Sequence, residues 1–276
     1  MAGPVTLAEL IGWAFAAMTA VMVAAWLVQM ALRNSGWIDV AWTFGTGLVC
    51  AGCALWPLDR DIPFSPRAIL VAALSGVWAL RLGSYIARRV AGSASEDARY
   101  AEFRKAWGGS YQLKLLLIVL PQPVVSGVLA LSVALAARAP GPDLGVRDLI
   151  AAIVWAAALL GEAVADAQMA RFRSDPANRG GICDRGLWAW SRHPNYFFEW
   201  LVWWAYPILA VQPRDPVSWL SLGAPIVMFL ILRFVSGVPP LERTMLASRG
   251  EAFRAYQARV SAFIPLPPRR ATPARA

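Results

Sequence analysis

Long apolar runs recur along this chain, at about 7–32, 36–56, 68–88, 114–137, 148–170, 197–212 and 217–236. The longer ones suffice to cross roughly 30 Å of hydrocarbon as helices. In hydrocarbon every backbone N–H and C=O must find its partner within the protein, which leaves helices and closed barrels. The alternation of a barrel strand is missing, so the pattern predicts an all-α, polytopic membrane helical bundle of about seven transmembrane helices. A content of 58% hydrophobic and only 16% charged residues agrees with this. The sixth run is short, and Pro207 and Pro213 bend or end it, so six spans plus a re-entrant segment stay open.

A formal net charge of +9 would suit nucleic acid, but the basic residues sort by side of the membrane instead. Nineteen of them, in the connections after spans one, three and five and in the C-terminal tail, fall on one side. Five, Arg60, Arg67, Arg138, Arg147 and Arg214, fall on the other. The positive-inside rule then places the N-terminus outside and the C-terminus in the cytoplasm, which seven spans satisfy. The expected setting is an integral membrane protein with its basic connections in the cytoplasm, and a bilayer rather than a nucleic acid as partner. No basic region precedes the first run and no small-residue cleavage site follows it, so it reads as a retained span.

Residues 1–268 read as one membrane domain, with 269–276 a disordered basic tail. The outer connections, 57–66, 139–145 and 213–216, are plain turns rich in proline, glycine and aspartate. Among the inner ones, Ser95 to Arg104 has a serine cap and an acidic first turn and reads as an amphipathic helix, equally suited to lying on the membrane. Cys50 and Cys53 fall inside span two, where they read as small apolar residues, and Cys183 reads as a lone free thiol. A single histidine excludes a histidine-rich metal site, so no metal is expected.

The polar chemistry gathers toward the cytoplasmic side. On span five, Glu162 and Asp166 are four residues apart, and Arg173 continues their face. Acids at bilayer depth are costly and mark functional sites, although Arg81 or Arg233, in the inner halves of their own spans, could pair with them. In the run Ser191-Arg192-His193-Pro194-Asn195-Tyr196-Phe197-Phe198-Glu199, a helix aligns Arg192, Asn195, Tyr196 and Glu199 on one face. Its start, with Ser191 to cap and Pro194 in the first turn, offers free N–H groups and the positive end of a helix dipole to an anion. The same residues also suit a juxtamembrane arginine and an interfacial tyrosine. After span seven come Glu242 and Arg243, then Tyr256, on a segment that reads equally well as an amphipathic cytoplasmic helix. Asp39 at the mouth of span two and Tyr85 on span three, which shares a face with Trp78 and Arg81, are the candidate catalytic proton donors. No Gly-x-Gly-x-x-Gly fingerprint lies between a strand and a helix, which excludes a Rossmann site.

The run from Ser191 to Glu199, Glu162-x-x-x-Asp166 before it and Ser261-Ala262-Phe263-Ile264-Pro265 after it resemble the steroid 5-alpha-reductase superfamily. The resemblance is closer to its bacterial DUF1295 branch, whose Asp-Val-Ala-Trp and Glu-Asp-x-Arg-Tyr motifs match Asp39 to Trp42 and Glu96 to Tyr100. It covers nearly the whole chain and implies a seven-helix reductase that takes NADPH from the cytoplasm, its cofactor half about 148–268. By this resemblance Arg81, Asp166, Arg173, Asn195, Glu199 and Tyr256 match cofactor-contacting positions. Arg192, His193 and Tyr196 match the His-Pro-Asn-Tyr form of that site in sterol reductases. Glu162, Glu242 and Arg243 complete the candidate cofactor set. The family's substrate-binding tyrosine position is Trp78 here, and its glutamate has no match beyond the nearby Asp39, so a steroid substrate does not follow.

The expected activity is therefore hydride transfer from NADPH to an activated carbon–carbon double bond of a lipophilic substrate that enters from the bilayer. The rival is an S-adenosylmethionine-dependent membrane methyltransferase of the isoprenylcysteine carboxyl methyltransferase type, which also carries Arg-His-Pro-x-Tyr before a short span. The lone Glu242, where that type has paired glutamates, and the otherwise idle Asp166 and Arg173 favour the reductase. A third reading is a non-catalytic transporter or lipid-binding protein. Polar residues gathered at one face, instead of lining a path through the midplane, weigh against it.

Overall fold

A computed structural model of the chain describes residues 5–56, 65–93, 96, 98–141 and 144–269. Helices are the only regular structure among them: α1 (Leu7–Leu32), α2 (Gly36–Leu55), α3 (Pro66–Ala91), α4 (Ala98–Trp107), α5 (Tyr111–Val119), α6 (Gln122–Ala137), α7 (Val146–Ser174), α8 (Pro194–Val202), α9 (Ala205–Ala210), α10 (Gly223–Leu230) and α11 (Val238–Arg259). Among the described residues, six helical stretches are long and apolar enough to cross a membrane. Ser95 and Asp97 of the amphipathic segment, Arg60 and most of the 57–66 turn, and the tail from 270 lie outside the described residues.

Prolines set the breaks that an apolar run does not reveal. The sixth run becomes α8 and α9, separated at Trp203 and Trp204, upstream of where the prolines themselves lie. Pro207 has no N–H for the Trp203 carbonyl four residues earlier, and its ring crowds that carbonyl, so the helix opens there. Likewise the fourth run divides at Leu120 and Pro121 into α5 and α6.

The chain forms two compact units, Met1–Ala152 with Tyr206–Ala224, and Ile153–Ala205 with Pro225–Ala276. In the first, α1 begins with a capping box: Glu9 N–H donates to Thr6 Oγ1 (3.2 Å) while the Glu9 carboxylate takes the Thr6 N–H (2.8 Å). α2 and α3 approach closely because small residues face each other: a methyl group on Gly47 would lie 2.1 Å from the Ala79 Cβ. Thr46 and Ser126 bond α2 to α6 through their hydroxyls at 2.8 Å. Met18, Met22, Ile38, Tyr100, Tyr111, Leu115 and Val119 form a buried core among α1, α2, α4 and α5.

Arg67, at the start of α3, makes a bidentate ion pair with Asp148 of α7 (2.7 and 2.9 Å), both side chains over nine-tenths buried. Its Nη1 also donates to the carbonyls of Ala139, Pro140 and Gly141. Arg67, read in sequence as a plain outer charge, instead joins with Asp148 to bind one end of the first unit together. Arg138 does similar work at the end of α2, donating to the carbonyls of Cys53 and Trp56 where that helix runs out of internal partners. Cys50 and Cys53 are buried free thiols, as their place in an apolar span suggested.

In the second unit, α7 and α8 touch where a glycine allows it, since a methyl on Gly161 would fall 2.4–2.6 Å from the Phe198 ring. An aromatic cluster follows: Phe263 meets Phe197, Trp200 and Phe229 at centroid separations of 6.3, 5.9 and 5.4 Å. Between α10 and α11 the helix widens into a π-turn, Ile231–Val235.

Candidate functional site

The second unit holds most of the candidate residues, and its organising contact is a carboxylate. Glu242, near the start of α11, accepts from Arg192 Nε at 2.7 Å and Gln257 Nε2 at 2.7 Å, and lies 3.2 Å from His193 Nε2. Arg192 Nη1 donates to the carbonyls of Gln257 and Val260, and its backbone N–H to Ser261 O at 2.8 Å. Ser191 donates to Phe263 O at 2.8 Å and accepts the His193 N–H. The residues before α8 are thus tied to both ends of α11 and to the segment after it. Arg192 therefore serves first to hold the helix start, because Nε and Nη1 are engaged by protein.

His193 precedes Pro194 at the helix start and stacks on Tyr196 (5.6 Å, planes 6° apart). Burial pushes its imidazole below the ordinary histidine value, a shift the Glu242 contact opposes and the positive charges of Arg192 and Arg233 reinforce. The ring is accordingly neutral near pH 7.

The loop before it is anchored on α7. Gly186 is at φ +58°, a conformation that favours glycine, and a Cβ there would lie 2.6–2.8 Å from the Gln168 amide, displacing the side chain that anchors the loop. Leu187 N–H donates to Gln168 Oε1 (2.9 Å) and Trp188 Nε1 to Ala165 O (3.0 Å), while Tyr256 OH donates to Trp188 O. Tyr256 is buried and bonded to the backbone. Cys183, in the same loop, is a buried free thiol whose pKa burial raises.

Beside these anchors stand three buried acids. Glu162 and Asp166 follow the Gly161 contact on α7, and Glu199, which accepts from Trp203 Nε1 at 3.1 Å, follows Phe198 on α8. In the same unit, Asn195 is half-buried and Arg173 and Arg243 are exposed, and the side chains of these three have no hydrogen bond or ion pair among the described residues. By chemistry an amide and two cations suit an anionic or amide-bearing ligand, and the carboxylates suit hydroxyl or amide donors.

Arg81, Asp39 and Tyr85 belong to the first unit. Arg81 lies over the Tyr85 ring at 5.7 Å. Asp39 Oδ1 accepts from Tyr100 OH at 2.9 Å, and Glu96 accepts the Ser35 N–H at 2.9 Å and pairs with Arg104 at 2.9 Å. The sequence motifs Asp39 to Trp42 and Glu96 to Tyr100 are therefore joined through Tyr100. Trp78 is fully buried edge-on to Trp42.

Among the partners that escaped the sequence reading are Gln168, Gln257 and the carbonyls of Val260, Ser261 and Phe263. Gln257 follows a residue already singled out, and the Ser261 and Phe263 carbonyls lie in the Ser261 to Pro265 motif. A main-chain acceptor, however, leaves no mark on residue type.

A model of the family described as "Protein of unknown function (DUF1295)" matches residues 25–260. The chain belongs to the DUF1295 family. No curated protein and no solved structure matches it. The matched stretch spans α2 to α11 and so contains both joined motifs and the whole Glu242 anchor. Among the described residues no cluster of histidine, cysteine, aspartate and glutamate could hold a metal ion.

Proposed function

We propose that this DUF1295 protein is a membrane-embedded, NADPH-dependent reductase of an activated carbon–carbon double bond in a lipid or steroid-like substrate. The observation that carries the reading is the anchored start of α8, where Arg192, His193 and Glu242 fix a helix whose Asn195 amide makes no hydrogen bond among the described residues. The residues fit the cofactor by chemistry: Arg173 and Arg243 suit its phosphates, and Glu162, Asp166 and Glu199 suit its ribose hydroxyls and carboxamide. Bound NADPH would supply a hydride to the electrophilic carbon of the double bond. The chain's own part is to orient, to exclude water through its aromatic walls, and to give a proton to the adjoining carbon. The sequence assigns that proton to Asp39 or Tyr85.

The same reading takes seven crossings, the N-terminus outside and the C-terminus and cofactor residues on the cytoplasmic side of a bacterial inner membrane. The α8–α9 segment then supplies the crossing beyond the six apolar stretches.

The test is a thermal-unfolding titration of the detergent-purified protein with NADPH, NADH and S-adenosylmethionine in parallel, with Asn195→Ala as control. A ligand that binds only the folded form raises the midpoint with concentration. NADPH is expected to raise it, and the variant to lose the response. Stabilisation by S-adenosylmethionine alone would replace the reductase reading with the methyltransferase one.

A further inference from the structure

A second cationic feature of the second unit adjoins the anchored α8 start. A cavity of about 420 Å³ opens between the end of α10, the π-turn and the segment after α11, with Phe229, Phe263 and Ile264 as its apolar part; Arg192, already engaged by protein, reaches its wall, and Arg233, Arg259 and Arg269, which the reductase reading does not use, complete its cationic lining. Arg259 pairs loosely with Asp184 at 3.3 Å, whereas the Arg233 and Arg269 guanidinium groups have no ion pair among the described residues. Arg269 is itself held back against α11, its N–H donating to Arg259 O at 2.9 Å. No carboxylate lines the cavity.

Phe229 also lines a second groove, of about 230 Å³, whose other walls are Trp200, Trp204, Pro225, Ile226 and Leu230. These are all apolar, and Ile226 and Leu230 are about half exposed. Ile226 and Leu230 lie one turn apart on α10, and Arg233 follows three residues later in the π-turn that continues it. Over seven residues a helix rises roughly 10 Å, so a charged end and an apolar trough adjoin over the length of a headgroup and the first carbons of a chain.

We propose that these two grooves form a binding site for an anionic phospholipid of the bilayer, its phosphate at Arg233 and Arg269 and one acyl chain along Ile226 and Leu230. The charge and the trough argue for this occupant together. A soluble anion has no use for the apolar groove, and a zwitterionic lipid gains little from two guanidinium groups, Arg233 and Arg269, that carry no ion pair among the described residues. Arginines at the end of an apolar helix are placed where lipid phosphates lie.

The full-length protein in detergent is titrated with dioleoyl-phosphatidylglycerol, dioleoyl-phosphatidylcholine, inorganic phosphate and NADPH, and the unfolding midpoint is read. Phosphatidylglycerol is expected to raise it saturably, while phosphatidylcholine and phosphate do not, and excess NADPH does not displace the lipid. With both arginines neutralised (Arg233→Gln with Arg269→Gln) the half-saturating lipid concentration rises roughly tenfold or more, taking about 1 kcal/mol per arginine. The exposed Arg269→Gln alone, which cannot disturb the core, gives a smaller rise in the same direction. Equal responses to both lipids, an equal response to phosphate alone, displacement by NADPH, or an unchanged titration in the variants would each overturn the site. A failure of NADPH to bind would leave this result untouched, which separates the two readings.

Discussion

At the scale of single residues, Glu242 decides the most. One carboxylate serves Arg192, His193 and Gln257, so Glu242→Gln strips the charge from three partners at once. Hydrogen bonds to charged groups contribute about 1.5–3 kcal/mol, and a loss of that order is expected in chemical denaturation. Its neighbour predicts a pH dependence. The His193 imidazole titrates lower in the folded protein than in the unfolded chain, so the unfolded state binds the extra proton first. Stability is therefore full above about pH 6.5 and is lost as the pH falls from there toward the lowered folded value. A series of unfolding midpoints between pH 7.5 and 5 should show this fall, and His193→Gln should flatten it. With Cys50 and Cys53 replaced by alanine, Cys183 offers a single-site probe: it is buried and burial raises its pKa, so maleimide should label it slowly in the folded protein and quickly after unfolding.

At the scale of elements, two contacts carry predictions of known sign. Removing Arg67 leaves Asp148 buried and charged, and Arg67→Leu should destabilise by about 3–5 kcal/mol, whereas replacing both partners by leucine should recover much of it. Gly47→Ala forces α2 away from α3, because the new methyl meets the Ala79 Cβ rather than a flexible side chain, and should cost about 1–3 kcal/mol in the same assay. Such contacts show what the sequence can and cannot say. Six of the apolar spans were legible, since a run of apolar residues is a local property. The Arg67–Asp148 pair was not, because 81 residues separate its members and each alone looks like a charge in a turn. The break at Trp203 was displaced from its cause, since proline acts on the carbonyl four residues before it. The start of α8 was legible because its polar residues are contiguous. The Ser261 and Phe263 carbonyls that hold it were not, because nothing in residue type marks a backbone acceptor, and the Gln257 amide was not, because its acceptor Glu242 lies 15 residues earlier along the chain.

For the whole molecule, the number of crossings has a direct readout. Seven spans put the two ends on opposite sides of the membrane and six put them on the same side, so a reporter active on only one side, fused in turn to each terminus, separates the two. The proposed reading expects a reporter active in the cytoplasm to work at the C-terminus only. One feature of the second unit also bears on how the protein is made. Ser191 waits for a carbonyl 72 residues further along the chain, and Arg192 and Tyr256 join stretches almost as distant. At about 5–20 residues per second of synthesis, the helix start that Ser191 helps to fix stays unanchored for roughly 4–14 s after it leaves the ribosome. The apolar helices before it can already be inserted during that time. Assembly of this centre is thus a late, post-insertion event, and a nascent chain halted before Phe263 would be fully integrated in the membrane yet have no centre to offer a ligand.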